Sequence, residues 1–483
     1  MGETKQFIQK YRSLPIQIKA SVCFLICGFL QKGISIITTP IFTRILATTE
    51  YGQYSVFSSW NGIISVITTL NLAAGMYIQG MIKFEKERDA YSSSLVGLTT
   101  TLILLWFVIY ICFSSFWNAC LSLTTVQMLA MFITIWLGMI FAFWSAAERV
   151  MMRYKNLVLL TISASIVNPI VCIISVLYAE DKVTARILGN TVVQFIAFSG
   201  LFLSIMFRGK KFFSAKYWKY ALYFNLPLIP HYLSDTILRS SDRIMIANII
   251  GNSEAGIYSL AYSVSQIMVI FNTALMQTIE PWLYKKIHEK RTAEIINIAY
   301  PTFFIITGVN VLLIALAPEV VSFFAPKEYY EAIYVIPPVA MSVFFMFLYA
   351  FFAVFEFYCE KTIYVMISTL TGAVTNIILN FIFIKTFGYR AAGYTTLACY
   401  AIYVGMHYSF MKKVCAQELK IPNPYNIRTI CLITFIFLAI GFIFLATYDF
   451  PMVRYGLILS TTMIAVIKHK MLKSFLLKVI RIK

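Results

Sequence analysis

Residues Ile45–Val56 read Ile-Leu-Ala-Thr-Thr-Glu-Tyr-Gly-Gln-Tyr-Ser-Val, and residues Ile249–Leu260 read Ile-Ile-Gly-Asn-Ser-Glu-Ala-Gly-Ile-Tyr-Ser-Leu. Five of the twelve aligned positions are identical, at a constant offset of 204 residues. The same offset, without a gap, also aligns three later pairs: Arg186/Arg390, Gly189/Gly393 and Thr191/Thr395. Because two separate matches share one offset, the sequence predicts an internal duplication of about 200 residues.

The repeated stretch has the composition of a helix that begins after a tight turn. It contains a hydroxyl suited to capping, an acid suited to the positive end of a helix, and a glycine that lets neighbouring helices approach closely. The three pairs in these roles are Thr49/Ser253, Glu50/Glu254 and Gly52/Gly256. The motif therefore describes architecture more than chemistry.

The composition excludes an ordinary soluble protein. Hydrophobic residues make up 60% of the 483 residues and charged residues only 13%, against roughly 25% charged residues in soluble domains. Apolar runs long enough to cross a bilayer of about 30 Å predict fourteen helices. The predicted spans are 16–46, 51–81, 91–116, 121–147, 156–179, 183–207, 217–248, 255–283, 293–317, 332–358, 362–385, 390–412, 427–448 and 451–469.

The net charge of +19 first suggests a nucleic-acid-binding protein. Positions change that interpretation. With a cytoplasmic N-terminus, 30 of the 40 Lys and Arg residues lie in predicted inside segments, seven lie outside, and three lie within helices. This asymmetry is typical of the positive-inside rule and predicts that both termini are cytoplasmic. We therefore expect no nucleic-acid partner.

The repeat and the spans together predict the domain organisation. Each copy would hold six helices, an even number, so both copies would share one orientation. We expect an all-α integral membrane protein with about fourteen transmembrane helices, two parallel six-helix lobes related by a pseudo-twofold axis along the membrane normal, and two C-terminal helices. The predicted boundaries are 1–210 for the first lobe, 211–415 for the second, and 416–483 for the last two helices and a basic tail.

Three motifs resemble those of polysaccharide transporters of the multidrug/oligosaccharidyl-lipid/polysaccharide exporter superfamily, in the style of O-antigen flippases (Wzx-type). They are Thr43–Tyr54, Ser241–Ala247 with Gly256–Tyr262, and Asn376–Asn380 with Phe387–Gly393. The resemblance covers roughly residues 15–410. It implies that the chain moves undecaprenyl-diphosphate-linked O-antigen units, the precursors of lipopolysaccharide, from the cytoplasmic to the periplasmic leaflet of the bacterial inner membrane by alternating access. It also implies partners in the bilayer and among other polysaccharide assembly proteins.

Charges inside predicted helices are the candidate transport residues, because a charge at bilayer depth needs a partner or a wet cavity. The basic ones are Lys32, Arg239 and Arg243. Arginine can grip a diphosphate through parallel hydrogen bonds, and lysine adds a compact charge. Gln31 lies on the polar stretch of the first predicted helix. The offset of 204 aligns it with Asp235 in the seventh predicted helix. We expect these four residues to bind substrate, although an ion-paired structural cluster or a gate is an alternative for the seventh helix.

Three acids are candidates for ion coupling or gating: Asp235, Asp242 and Glu280. The spacings from Asp235 to Arg239 and from Arg239 to Asp242 predict that these three share a helix face. Glu280 could equally be an interfacial residue near Lys285 and Lys286. We expect no cofactor beyond coupling to an H⁺ or Na⁺ gradient.

Two other functions compete with the flippase interpretation. An ion-coupled multidrug or metabolite antiporter of the same superfamily would have twelve helices and an acidic cation site. A membrane polysaccharide polymerase or ligase would need a sizeable outside loop, and the longest one predicted, near residues 318–331, is short. Since no nucleophile–base spacing, phosphate loop or metal motif occurs in the sequence, we expect no enzyme.

The charge asymmetry makes the topology testable. Single cysteines at residues 3, 210, 415 and 480 of an otherwise cysteine-free chain should react with a membrane-impermeant maleimide only in inverted membrane vesicles. Labelling of any of these positions in right-side-out spheroplasts would contradict the predicted orientation.

Overall fold

The computed structural model describes residues 16–467, in which eighteen α-helices alternate with short turns and no β-strand occurs. The helices are α1 (Ile16–Ile45), α2 (Thr48–Thr69), α3 (Gly75–Lys83), α4 (Arg88–Cys112), α5 (Ser114–Leu121), α6 (Thr125–Val150), α7 (Tyr154–Tyr178), α8 (Lys182–Gly209), α9 (Ala215–Asn225), α10 (Ile229–Ile249), α11 (Asn252–His288), α12 (Ile296–Ala315), α13 (Ala317–Phe324), α14 (Ile336–Tyr358), α15 (Thr362–Phe387), α16 (Ala391–Val414), α17 (Ile427–Ala446) and α18 (Pro451–Ile467). The expectation of an all-α fold is confirmed.

Every predicted span coincides with helix, but two of them are broken near the middle, and span 91–116 runs past the end of α4 into α5. Span 51–81 is divided between α2 and α3, because Leu70 and Asn71 adopt positive φ angles of 52° and 51°. Span 217–248 is divided between α9 and α10 by a 3₁₀ turn that contains Pro227. Ten helical segments of residues 16–467 are long and apolar enough to cross a membrane, so the number fourteen stays a prediction.

The outer surface of several helices is apolar. On α4, Leu104, Leu105, Val108 and Ile111 are each more than half exposed, and α7, α15 and α17 carry similar exposed aliphatic and aromatic residues. A soluble protein would hide such contiguous surface, whereas lipid tails accept it. The chain is therefore a multi-pass membrane protein.

The chain divides into two compact units. The first unit ends at Leu233, and the second begins at Ser234 and also includes the segment Ala47–Ser55. Helix α9 packs against α3 and α4 and lies in the first unit. The lobe boundaries at residues 210 and 415 stay predictions.

In the first unit, α8 packs against α4, α6 and α7, and α1 packs against α7. An aromatic core lies where α3, α4, α6 and α9 meet. The Tyr77 ring stacks on Tyr91 with centroids 5.6 Å apart and meets the edge of Phe143 at 4.9 Å. All three side chains are buried completely, so this core positions the helices.

In the second unit, α14 is the central helix and packs against α11, α12, α16 and α17. Its aromatic residues are almost completely buried: Phe344, Phe347, Phe351, Phe352 and Phe355. Helix α16 packs against both α14 and α15, as α8 packs against both α6 and α7 in the first unit. The corresponding helices of the two sequence repeats thus have the same packing partners.

The two copies of the repeated motif meet inside the second unit. A Cβ atom on Gly52 would overlap the carbonyl oxygen of Asn252, and one on Gly256 would overlap the carbonyl oxygen of Thr48. The hydroxyls of Thr48 and Ser253 lie 2.8 Å apart and form a hydrogen bond. The expectation that these glycines allow close helix packing is confirmed.

The expected caps of the repeat are only partly present. Glu50 accepts a hydrogen bond from the backbone N–H of Ala47 at 2.8 Å, which satisfies a donor that precedes α2. Helix α11, in contrast, follows Gly251 and has no side-chain cap. The predicted cap by Ser253 is wrong, because Ser253 lies within the first turn and bonds to Thr48 instead.

One of the four labelling positions proposed for the topology test is a poor reporter. Cys415 lies in a π-helical turn, Cys415–Leu419, and is buried. Gln417 in the same turn is exposed and should replace it. Residues 3 and 480 lie outside the described part of the chain.

The close approach of the two glycines predicts a stability cost for any side chain there. Gly52→Ala or Gly256→Ala should lower the free energy of unfolding by about 1–3 kcal/mol, because the backbones of α2 and α11 must separate. The matched control is Gly405→Ala on α16, where a Cβ meets nothing within 4 Å. That control should be neutral or stabilising by up to about 1 kcal/mol. Thermal unfolding in detergent measures the difference, and equal melting of all three variants would contradict the packing.

Candidate functional site

Helix α10 carries the charged residues that the sequence singled out, and the first of them form an ion pair. The carboxylate of Asp235 accepts two hydrogen bonds from Arg239, from Nε at 3.1 Å and from Nη2 at 3.0 Å. Both side chains are about half exposed, at 40% and 45%. The pair expected from the i,i+4 spacing is therefore present, and solvent reaches it.

Tyrosines from three other helices surround this ion pair. The side chains of Tyr262 on α11, Tyr349 on α14 and Tyr400 on α16 all lie within electrostatic range of the Arg239 guanidinium. The guanidinium is accessible and lies near these three phenol groups. We call Asp235, Arg239 and the three tyrosines the arginine recess.

Arg243 lies one turn further along α10 and extends the cationic surface. Its guanidinium carbon is 4.2 Å from the ring centroid of Tyr262, a cation–π contact. Because Tyr262 also lies within electrostatic range of Arg239, one aromatic ring stands near both guanidinium groups. The recess therefore holds two arginines and one aspartate.

Asp242 lies apart from that recess and is buried, with 1% exposure. The spacing predicted a shared face with Arg239, but the carboxylate instead accepts three hydrogen bonds from other helices. Tyr258 donates at 2.6 Å, Asn380 at 2.6 Å and Thr396 at 2.9 Å. We call Asp242 with these three partners the Asp242 cage.

A second layer of hydrogen bonds holds the cage. The carbonyl oxygen of Asn376 accepts from Ser241 at 3.0 Å and from Asn380 at 3.1 Å. Thr395 donates to the carbonyl oxygen of Asn380. The cage therefore directs two hydroxyls, from α11 and α16, and one amide N–H, from α15, onto the carboxylate of α10. The carboxylate and the two hydroxyl oxygens are hard ligands, which suit a cation such as Na⁺ better than a soft transition metal.

Lys32 and Gln31 lie on α1 in the first unit, and both side chains are exposed. Further along the helix, the hydroxyls of Thr38 and Thr39 donate to the Ser35 carbonyl oxygen at 3.1 and 2.9 Å. These polar side chains lie beside exposed apolar ones such as Leu30 and Ile37, so the role of Lys32 and Gln31 stays a prediction.

Glu280 lies on α11 and is half-buried. Lys286, which we expected beside it, pairs instead with Glu294 at 2.8 Å and with Glu289 at 3.7 Å. Tyr284 is within electrostatic range of Glu280, one turn away on the same helix. Glu280 thus lies on a different helix from Asp235, Arg239, Asp242 and Arg243, and it shares no interaction partner with them in the contacts above.

Sequence reasoning missed two features of the second unit. The first is the ring of tyrosines around Arg239, which come from three helices. The second is a buried contact between Glu356 on α14 and His407 on α16, with Oε1 and Nδ1 2.8 Å apart. The sequence did contain a signal for the Glu356–His407 contact. Each residue lies inside an apolar helix, where an ionisable group needs a partner or access to water.

The helical fold and the apolar outer surface define a multi-pass membrane protein. A model of the polysaccharide biosynthesis protein family matches residues 19–285, more than half of the chain. The chain belongs to this family.

Comparisons with individual proteins agree with that assignment. A Lsg locus protein of Haemophilus influenzae is 23% identical over 296 residues, which cover 56% of this chain and 67% of that protein. Among solved structures, the inward closed conformation of the lipid II flippase MurJ is similar with a TM-score of 0.63 and 13% identity, over 89% of this chain and 99% of MurJ. An inward-facing MATE multidrug transporter gives a TM-score of 0.59 and 13% identity, over 80% and 95% of the two chains. At these identities the structural likeness shows the fold.

The hydrogen bonds of the Asp242 cage predict a large effect of removing the carboxylate. Asp242→Ala leaves three buried donors without an acceptor and should lower the free energy of unfolding by about 2–5 kcal/mol. The control Asp449→Ala removes an exposed carboxylate with one tyrosine donor, Tyr334, and should stay within about 0.5 kcal/mol of wild type. Thermal unfolding in detergent compares the two, and an Asp242→Ala variant as stable as the control would refute the cage as a stabilising element.

Proposed function

We propose that this protein is a lipid-linked oligosaccharide flippase that translocates undecaprenyl-diphosphate-linked O-antigen units from the cytoplasmic to the periplasmic leaflet of the bacterial inner membrane, with both termini cytoplasmic. Membership of the polysaccharide biosynthesis family supports the pathway, and the likeness to a lipid II flippase supports transport of a lipid-linked sugar. The observation that carries the proposal is the accessible recess with Arg239 and Arg243. Movement follows alternating access of the two units.

The recess suits a diphosphate linked to a sugar. A guanidinium has five N–H donors, and Asp235 engages only two of those of Arg239. The remaining donors of Arg239 can bind phosphate oxygens by charge-assisted hydrogen bonds, and the guanidinium of Arg243 adds positive charge nearby. The surrounding tyrosines offer hydroxyls for sugar oxygens and ring faces for sugar C–H groups. The prenyl chain can remain in lipid, where it costs no desolvation.

The first unit contributes Lys32 and Gln31 to substrate binding in this proposal. Both side chains are exposed, and the sequence repeat makes their stretch of α1 the counterpart of the stretch of α10 that holds Asp235 and Arg239. Lysine supplies a compact positive charge for phosphate, and glutamine supplies a donor and an acceptor for sugar hydroxyls.

Three acids are assigned to ion coupling or gating. Asp242 is the first choice, since its cage gathers oxygen ligands around one buried carboxylate. Asp235 acts as a gate, because its bond to Arg239 competes with a phosphate. Glu280 is a second, half-buried candidate on α11. The driving force would be a Na⁺ gradient at the cage or an H⁺ gradient.

An ion-coupled multidrug or metabolite antiporter is the second candidate function. Two observations favour it: the fold is shared with MATE transporters, and the Asp242 cage has the acidic character expected of a cation site. The two functions differ in cargo charge. An antiporter of cationic compounds would gain nothing from two arginines in the recess, whereas a carrier of diphosphates depends on them.

The proposal predicts that both arginines are required for surface polysaccharide. In a deletion strain complemented with Arg239→Ala or Arg243→Ala, O-antigen should fall by about ten- to hundredfold, the loss expected for one charge-assisted hydrogen bond. Arg239→Lys should retain an intermediate amount, because charge remains and the bidentate geometry does not. Polysaccharide is measured on gels, and protein level by immunoblot of membranes.

The matched control for this experiment is Arg428→Ala, which removes an exposed arginine at the start of α17. It should leave O-antigen at the wild-type amount. Normal O-antigen in both recess variants at normal protein level would overturn the cationic recess as the substrate site. Wild-type O-antigen in the deletion strain itself would overturn the flippase assignment.

A further inference from the structure

A buried acid–base pair lies in the second unit, outside the residues assigned above. Glu356 on α14 and His407 on α16 are both completely buried, and Oε1 of the carboxyl group lies 2.8 Å from Nδ1 of the imidazole. Helices α14 and α16 pack closely along this stretch. Two ionisable groups inside an apolar helix interface are costly unless they compensate each other.

The outer atoms of the pair make no hydrogen bond within residues 16–467. These atoms are Oε2 of Glu356 and Nε2 of His407, and both are buried. A carboxylate beside a neutral imidazole would leave a net negative charge in this environment. One proton shared between the two groups makes the pair neutral overall, which low dielectric surroundings favour. The geometry is therefore that of a site that binds a proton.

Within the described chain, no titratable group on the packed elements forms a hydrogen bond or ion pair with Glu356 or His407. On α11, α12, α15, the π-helical turn and α17 these groups are Glu254, Tyr258, Tyr262, Glu280, Tyr284, Lys285, Lys286, His288, Tyr300, Tyr364, Lys385, Cys415, Glu418, Arg428 and Cys431. His288 bonds to Tyr358 at 3.1 Å, and Lys361, just before α15, pairs with Glu418 at 2.7 Å. Tyr403 on α16 lies within electrostatic range of Glu356, so the groups nearest the pair are its own two members and this phenol.

Two tyrosines join the pair to the arginine recess. The Tyr349 ring stacks on the His407 imidazole with centroids 5.3 Å apart, and the Tyr403 ring meets it edge-on at 4.5 Å. Tyr349 and Tyr403 also contact each other, at 4.6 Å. Tyr349 in turn lies within electrostatic range of Arg239 and Asp235. The Tyr349 ring therefore contacts the imidazole and also lies near the ion pair of the recess.

We propose that Glu356 and His407 form a proton-binding site linked through Tyr349 to the arginine recess, so that a diphosphate bound at Arg239 increases the affinity of the pair for a proton. The link to a diphosphate rests on the proposed function above. The proton comes from water and is held between the carboxyl group and the imidazole. Release returns it to water, and no other bond changes.

The sign of the effect follows from charge. A diphosphate brings negative charge near the pair, which favours its protonated form. By linkage, protonation of the pair must then strengthen diphosphate binding by the same factor. A single linked proton changes the dissociation constant by at most about tenfold per pH unit. Binding of the substrate and binding of the proton therefore strengthen each other.

The test measures binding of undecaprenyl diphosphate to the purified full-length protein in nanodiscs between pH 6 and pH 8. Relative to Glu356→Gln, the wild-type protein should bind up to about tenfold more weakly for each pH unit of increase. His407→Gln should match Glu356→Gln, and Tyr349→Leu should flatten the pH dependence while the pair remains. The control Glu360→Gln, an exposed acid just beyond α14, should behave as wild type.

Two further measurements keep the outcome decisive. If a single variant fails to fold, the double variant Glu356→Leu with His407→Leu replaces the pair by apolar groups, which should preserve folding and abolish the pH dependence. Equal pH dependence in wild type and these variants would overturn the proposal. Without any ligand, ¹⁵N NMR at pH 7 should show a His407 Nδ1 signal that changes in Glu356→Gln.

The ligand-free spectrum separates this proposal from the proposed function. An unchanged His407 signal would overturn the proton pair, even if undecaprenyl diphosphate binds. Failure of wild-type protein to bind undecaprenyl diphosphate, with a Glu356-dependent signal still present, would overturn the flippase assignment and the linkage to a diphosphate, and leave the proton site standing.

Discussion

The cost of placing charge inside an apolar helix bundle governs the second unit. Each ionisable group there needs a partner, a hydrogen-bonding cage or access to water. Asp235 and Arg239 combine a partner with accessibility, since they pair with each other and remain about half exposed. Asp242 takes the second solution, with three donors from three helices. Glu356 and His407 also take the first solution, since they are buried and hydrogen-bonded to each other. The helices must therefore hold their register closely, because a small shift would leave these groups unpaired.

Much of the fold could be predicted from the sequence, because bilayer length and charge asymmetry act locally. The helix of every predicted span is present, and Gly52 and Gly256 lie where two backbones approach too closely for a side chain. The two breaks were missed for a local reason. A run that is apolar throughout hides a turn such as Leu70–Asn71, and a proline such as Pro227 can lie inside a membrane helix as well as end one.

The candidate site was less predictable, because its geometry depends on residues distant in sequence. Spacing along α10 sufficed for the bond between Asp235 and Arg239. The same spacing failed for Asp242. Its carboxylate points to Asn380 and Thr396, which lie 138 and 154 residues later in the sequence. Helical periodicity alone does not show which neighbouring helix a side chain faces. The tyrosines around Arg239 were indistinguishable in the sequence from the many aromatic residues that face lipid.

Three charged sites of different character lie within one helical unit, and their differences suit separate tasks. The recess is accessible, so its charges can meet a ligand. The Asp242 cage is closed and rich in oxygen, so any change there must be the exchange of a small ion or a rearrangement of its donors. The Glu356–His407 pair is closed and short of donors, so a proton is the one species that can balance it without new ligands. The cage draws on α10, α11, α15 and α16 and the pair on α14 and α16, so α16 takes part in both. Movement of α16 would therefore disturb the cage and the pair together, and through Tyr400 also the recess. A single helix shift could in this way couple ion, proton and substrate without any direct bond among them.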